Sequence, residues 1–124
     1  MTRLTDANLI RRPDEVVLSW TVEGDLEATS TPWLLSFDVI GGPDGPSHQF
    51  GFRFRGGKVE ERFYFDYVAR MNYYVDHVTP QRVGNKWTAV FPAGDEVASA
   101  GKWTAVLAFD EPHNANESHV EGTF

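Results

Sequence analysis

Cysteine is absent from this chain of 124 residues. Its absence excludes disulfide staples, thiol nucleophiles, zinc ribbons and Cys-ligated clusters. Small secreted eukaryotic domains more often carry a disulfide, whereas a bacterial protein, cytosolic or exported, need not. Long apolar runs are missing as well: no stretch approaches the run of about 20 residues that a membrane helix needs. The N-terminal stretch MTRLTDANLIRRPDE lacks the apolar region of a signal peptide. The expectation is a cytosolic protein, or a secreted or surface one whose leader has been removed. Basic residues are in deficit, with 11 Lys and Arg against 18 Asp and Glu and a formal net charge of −7. Such a surface repels phosphate backbones and has no pull toward anionic lipid, which argues against nucleic-acid partners and membrane insertion. The P-loop, the dinucleotide glycine fingerprint, the nucleophile elbow, the HExxH zinc helix and the EF-hand loop are all absent.

What the chain does have is apolar and aromatic content, 41% and 14% of its residues. That is ample for a packed core in one domain. Period-two alternation dominates and predicts strands. DEVVLSWTV puts Val16, Leu18, Trp20 and Val22 on one face. TPWLLSFDVI aligns Trp33, Leu35, Phe37 and Val39, and HQFGFRFR aligns Phe50, Phe52 and Phe54. KVEERFYFDYVA places Val59, Phe63, Phe65 and Tyr67 in one row, with Glu60, Arg62, Tyr64 and Asp66 opposite. MNYYVDHV is a weaker strand, and SHVEGTF a last one with Val120 and Phe124 on one side.

EGDLEATSTP, GGPDGPS, RGGK, TPQRVGN and DEPHNANE have loop compositions. Gly56-Gly57 predicts a two-residue hairpin, because both residues accept positive φ. It would pair Phe54 with Val59 and Arg53 with Glu60. TDANLIRR reads as a helical turn or a fraying arm, and Pro92 to Val97 as a single helical turn at a corner. Many short strands with no useful amphipathic helix mean an all-β fold. The expectation is a single antiparallel β-sandwich, immunoglobulin-like by preference with a jelly roll as the alternative. Residues 1–13 would be an N-terminal arm and residues 14–124 the sandwich domain.

The pentapeptide KWTAV occurs twice, at Lys86–Val90 and Lys102–Val106. Two copies do not make a solenoid or propeller. Each copy puts its Trp on the apolar row, as do Trp20 and Trp33, so all four are expected mainly in the core. The second copy carries a resemblance. FPAGDEV followed by AGKWTAVLAFDEP resembles the late strands of immunoglobulin-like modules of bacterial surface and secreted proteins, through Gly101, Trp103, Thr104, Ala105 and Leu107. The likeness covers the last third of the chain and carries no catalytic residues. It implies a fold, and the chain departs from antibody-type domains by lacking both cysteines.

Several clusters are candidates for chemistry. Arg53, Arg55, Arg62, Tyr64 and Asp66, with Glu60, are expected as one charged outward face around the hairpin. That face is either a recognition surface for a polar ligand or a solvated ladder of cross-strand pairs. Glu61 falls within the apolar row between Val59 and Phe63, and a bulge near the turn would re-aim it. His113, Glu117 and His119 are side-chain types that bind Zn²⁺ or Ni²⁺, but their spacing matches no ligand motif. The acidic loop residues Asp25, Asp44, Asp95, Glu96, Asp110 and Glu111 would suit Ca²⁺ at strand ends, although Asp also favours turns. No other cofactor is implied. The expected function is a non-catalytic binding or interaction module for a protein or carbohydrate ligand. A carbohydrate-binding module is the alternative, and a small sandwich enzyme such as a lyase the third reading. Contact surfaces are expected on loops 41–47 and 112–117 and on the charged face.

Overall fold

The computed structural model describes residues 2–24, 26, 31–41, 47–109 and 117–124. Among the described residues ten strands run in chain order: β1 (Arg3–Arg11), β2 (Glu15–Glu23), β3 (Trp33–Ile40), β4 (His48–Arg55), β5 (Lys58–Asp66), β6 (Met71–Asn72), β7 (Gln81–Val83), β8 (Lys86–Pro92), β9 (Lys102–Phe109) and β10 (Glu117–Thr123). There is no helix among the described residues. The strands form two antiparallel sheets, ordered β1-β2-β8-β7 and β10-β9-β3-β4-β5-β6, packed face to face as a β-sandwich. Alternating rows of β2, β3, β4, β8 and β9 supply the core, as period two requires. Trp20, Trp33, Trp87 and Trp103 are all buried. The two KWTAV copies lie on β8 and β9, in opposite sheets, so one strand recipe serves both walls.

The rings interlock both across the interior and within one sheet. Trp20 packs on Phe37 at a centroid distance of 5.0 Å, and Trp33 stacks on Phe54 at 3.9 Å. The indole N–H of Trp20 donates to the Ser36 carbonyl over 3.1 Å. Such aromatic pairs add about 0.5–1.5 kcal/mol beyond the area they bury.

Three local readings are corrected. Residues 3–11, expected as an arm or helical turn, are a strand paired with β2 along its length. A register shift between Leu4 and Asp6 leaves Leu4, Ala7 and Leu9 buried, so the first spacing mimics a helix. Only Met71–Asn72 of MNYYVDHV is a strand, while TPQRVGN contains β7. The corner after β8 is a reverse turn, closed by the Val97 amide on the Gly94 carbonyl at 3.2 Å, and not a helical turn.

The hairpin forms as expected at its tip. Gly56 and Gly57 have φ of +58° and +80°, and Phe54 pairs with Val59. One step further the register departs: Arg53 pairs with Glu61, which leaves Glu60 as an extra residue in a β-bulge. Every later side chain of β5 therefore changes face. Tyr64 and Asp66 point into the sandwich and are buried, while Phe63 and Phe65 are only partly covered. Phe63 lies over Gly51 on the outer face, where a β-carbon would come within 2.7 Å of its ring. Phe65, which the alternation set in the apolar row with Val59 and Phe63, is not in the core.

The sides of the sandwich are closed differently. At one side the Leu4 amide donates to Ser118 Oγ over 2.8 Å, joining the edge strands β1 and β10. At the other, residues 73–80 cross from β6 to β7 and bury Val75 and Val78.

Candidate functional site

The bulge divides the five expected recognition residues between two faces. Arg53 and Arg55 stay outside, where Arg55 pairs with Glu60 and Arg53 lies 3.7 Å from Glu61. Both pairs are solvated rungs, worth about 0–1 kcal/mol each. Arg62 turns inward and donates from Nε to the Val78 carbonyl, so it props the 73–80 crossover. Tyr64 is 1% exposed and Asp66 is buried. The expectation of one charged outward face is thereby corrected.

What the inward turn builds is a cleft at one end of the sandwich. Its walls are Tyr64 from β5, Tyr73, Tyr74 and Val75 from the crossover, Asp14 from the β1–β2 turn, and Glu96 from the β8–β9 corner. The volume is about 390 Å³, within the range of ligand clefts. Tyr64 packs between Phe50, at a centroid distance of 4.3 Å, and Tyr73, at 4.4 Å, with both rings tilted against it. Tyr74 stands open at the rim with 79% of its surface exposed.

Glu96 is fixed at its mouth. Its Oε1 accepts from the Tyr64 hydroxyl at 2.7 Å and from the Gly94 amide at 3.0 Å. Burial pushes its carboxyl up, but these donors outweigh it and hold the pKa below the usual 4.5. Burial, together with Glu96, pushes the Tyr64 phenol far above its ordinary value. The corner carrying Glu96 is held by Arg11, whose guanidinium donates to the carbonyls of Glu15, Gly94 and Val97.

Behind Tyr64 lies a second polar group. His48 is 2% exposed, and its Nε2 sits 3.3 Å from Asp66 Oδ2 without hydrogen-bond alignment. Its Nδ1 lies 3.1 Å from Ser47 Oγ. Asp66 Oδ1 accepts the Val68 and Ala69 amides at 2.9 and 3.0 Å, and the Tyr73 hydroxyl approaches Oδ2 at 3.3 Å. Burial raises the Asp66 carboxyl, and the Ala69 amide and His48 more than reverse that, leaving it below its usual value. Ser, His and Asp thus meet, but Ser47 Oγ also donates to the Val39 carbonyl at 3.1 Å and the imidazole is sealed from solvent. The geometry pins the β3–β4 connection to the β5–β6 turn; it offers no exposed nucleophile.

The metal reading is divided too. Glu117 and His119 meet on the outer face of β10 at 3.1 Å, and His113 lies outside the described residues. Among the described residues no three carboxylate or imidazole side chains converge as a metal site would require. Asp25, Asp44, Asp110, Glu111 and most of the loops 41–47 and 112–117 also lie outside the described residues.

Sequence reasoning missed the cleft. Two signals pointed to it: Glu61 standing in an apolar row, and Gly51 inside a strand, where another group approaches closely. No protein-family model matches the chain, and comparison with the curated proteins returns no significant match.

Proposed function

We propose that this chain is a non-catalytic recognition module, an immunoglobulin-like sandwich that binds its ligand in the tyrosine-walled cleft. The strand order supports the immunoglobulin-like part. The orders β1-β2-β8-β7 and β10-β9-β3-β4-β5 correspond to ABED facing GFCC′C″, the variable-type arrangement, with β6 added at the edge. In antibody domains a disulfide joins strands B and F. Here the corresponding β2 and β9 contribute Trp20, Leu18, Ala105 and Leu107 to the core instead.

The observation that carries the binding reading is Glu96, an ionised carboxylate held by two donors at the mouth of an aromatic cleft. Acid–base catalysis works best with a group that titrates near the operating pH. In this cleft the Glu96 carboxyl is shifted down and the Tyr64 and Tyr73 phenols are shifted up, both away from neutrality. Fixed charge and fixed neutral hydroxyls suit ligand recognition.

Tyr74 favours a carbohydrate ligand as the second reading. An exposed aromatic face at a concave rim is a platform for the apolar face of a pyranose. The test is a glycan array beside an amide NMR screen of small polar ligands, each repeated with Tyr74→Ala. Arg62→Ala and Tyr64→Ala are poor probes, because both side chains hold the fold. Hits should shift the amides around residues 73–75 and 94–96 and weaken in Tyr74→Ala. Ligands that all map to another surface, or turnover of a substrate lost in Glu96→Gln, would overturn the reading.

A further inference from the structure

We infer that the cleft receives an organic ammonium ion, seated against tyrosine ring surface with its charge facing Glu96. This rests on the cleft being the binding site and names the chemistry of its ligand.

Three observations converge. The first is charge. Glu96 and Asp14 line the cleft, and no Lys, Arg or His is among the lining residues. The basic side chains behind its walls, Arg11 and His48, are engaged elsewhere. Arg11 is tied to the carbonyls of Glu15, Gly94 and Val97, and His48 lies behind the Tyr64 ring against Asp66. Asp76 lies beside Tyr74 and adds negative charge at the rim. The second is the carboxylate itself. Both donors to Glu96 go to Oε1, and no basic side chain pairs with it among the described residues. The other oxygen, Oε2, is left for a ligand. The third is ring surface, from Tyr73 and Tyr74 with Tyr64 packed beneath. Aromatic faces attract cations through the ring quadrupole, and alkylated ammonium groups above all, because they are weakly hydrated and carry apolar surface. That apolar surface would meet Val75, Pro13 and Pro92.

Competing ligand classes fit less well. An anion meets two carboxylates. A neutral sugar finds stacking surface but desolvates Glu96 without supplying a positive partner, which costs free energy.

The experiment titrates choline chloride into the full chain, followed by amide NMR. Alongside it run the uncharged isostere, in which carbon replaces the ammonium nitrogen, and a panel of neutral oligosaccharides. Choline should shift the amides around residues 73–75 and 94–96 to saturation, with the isostere about tenfold weaker. Added salt should weaken choline binding. Glu96→Gln should lose a similar factor. Because that change also alters the bond to Tyr64, Tyr74→Ala serves as the second variant: its side chain is exposed, so the melting temperature should hold while choline binding falls several-fold. Equal binding of choline and its isostere would overturn the inference, as would choline binding untouched by both variants. A sugar that saturates the cleft while choline leaves it unshifted would overturn the cation and keep the site. Silence from all three ligand classes would overturn both.

Discussion

The Tyr64 hydroxyl donates to the Glu96 carboxylate over 2.7 Å, and so ties β5 of one sheet to the corner that leaves β8 of the other. The contact exists because Tyr64 pairs opposite Phe50 and so faces inward, a register that the bulge at Glu60 reconciles with the hairpin tip. Removing the hydroxyl with Tyr64→Phe keeps the ring packed between Phe50 and Tyr73 and deletes only the bond. A hydrogen bond to a charged group contributes about 1.5–3 kcal/mol when buried, and this one is half-buried, so a loss near ~1 kcal/mol is expected. Denaturant midpoints check the loss, and an NMR titration should show the Glu96 carboxyl moving up toward its ordinary value.

Deleting Glu60 should be tolerated. The residue has no register partner on β4, only the solvated ion pair with Arg55, and every backbone pair flanking it survives its removal. The shortened chain should fold with Tyr64 still protected from solvent, at a cost of about 1–2 kcal/mol from the altered turn geometry. Chemical labelling of tyrosines gives the readout. A newly reactive Tyr64 in a folded variant would mean that the face is not set by the pairing to β4.

Gly51→Ala should be among the most damaging of small changes. The added carbon would sit 2.4 Å from the Leu35 carbonyl oxygen and 2.9 Å from the Ser36 α-carbon, and backbone in mid-sheet cannot move aside. Overpacking of this kind costs about 1–3 kcal/mol. A thermal melt within a degree of the parent protein would contradict the close packing of Phe63 over β4.

Trp103→Ala should cost about 3–5 kcal/mol, the usual range for emptying a large aromatic site in a core. Trp103 packs edge-on against Phe37 at 5.2 Å and fills the space left by the missing side chain of Gly122. Unfolding in urea measures it, and a loss under ~1 kcal/mol would place the ring at the surface.

Stability should fall in acid through Asp66. Its folded pKa lies below the ordinary value of 3.8, so the unfolded chain takes up a proton first as pH drops. The stabilisation is complete above the unfolded value and is lost as pH falls through the folded one. Glu96 acts in the same direction from 4.5, whereas Asp38, whose carboxyl burial raises, acts in the opposite one. Asp66→Asn keeps an acceptor for the Val68 and Ala69 amides, yet should flatten the profile as pH falls below 3.8. A profile as steep as that of the parent protein would place the acid sensitivity elsewhere.

The sequence by itself determined the sandwich. Alternation in β2, β3, β4, β8 and β9 is a local property of each strand: period two puts every second side chain on one face, whatever the neighbours are. The four tryptophans lie on those rows and are buried, and paired glycines were sufficient to locate the hairpin tip. Tertiary structure decided which face of β5 looks inward. One inserted residue reverses all that follow it, and only the pairing of β4 with β5, with Phe63 seated over Gly51, selects where the insertion falls. The irregularity between Leu4 and Asp6 hid β1 in the same way, by breaking the alternation that would have revealed it. The cleft depended on all of this. Asp14, Tyr64, Tyr73 and Glu96 come from four separate segments, and no spacing along the chain encodes a distance between sheets.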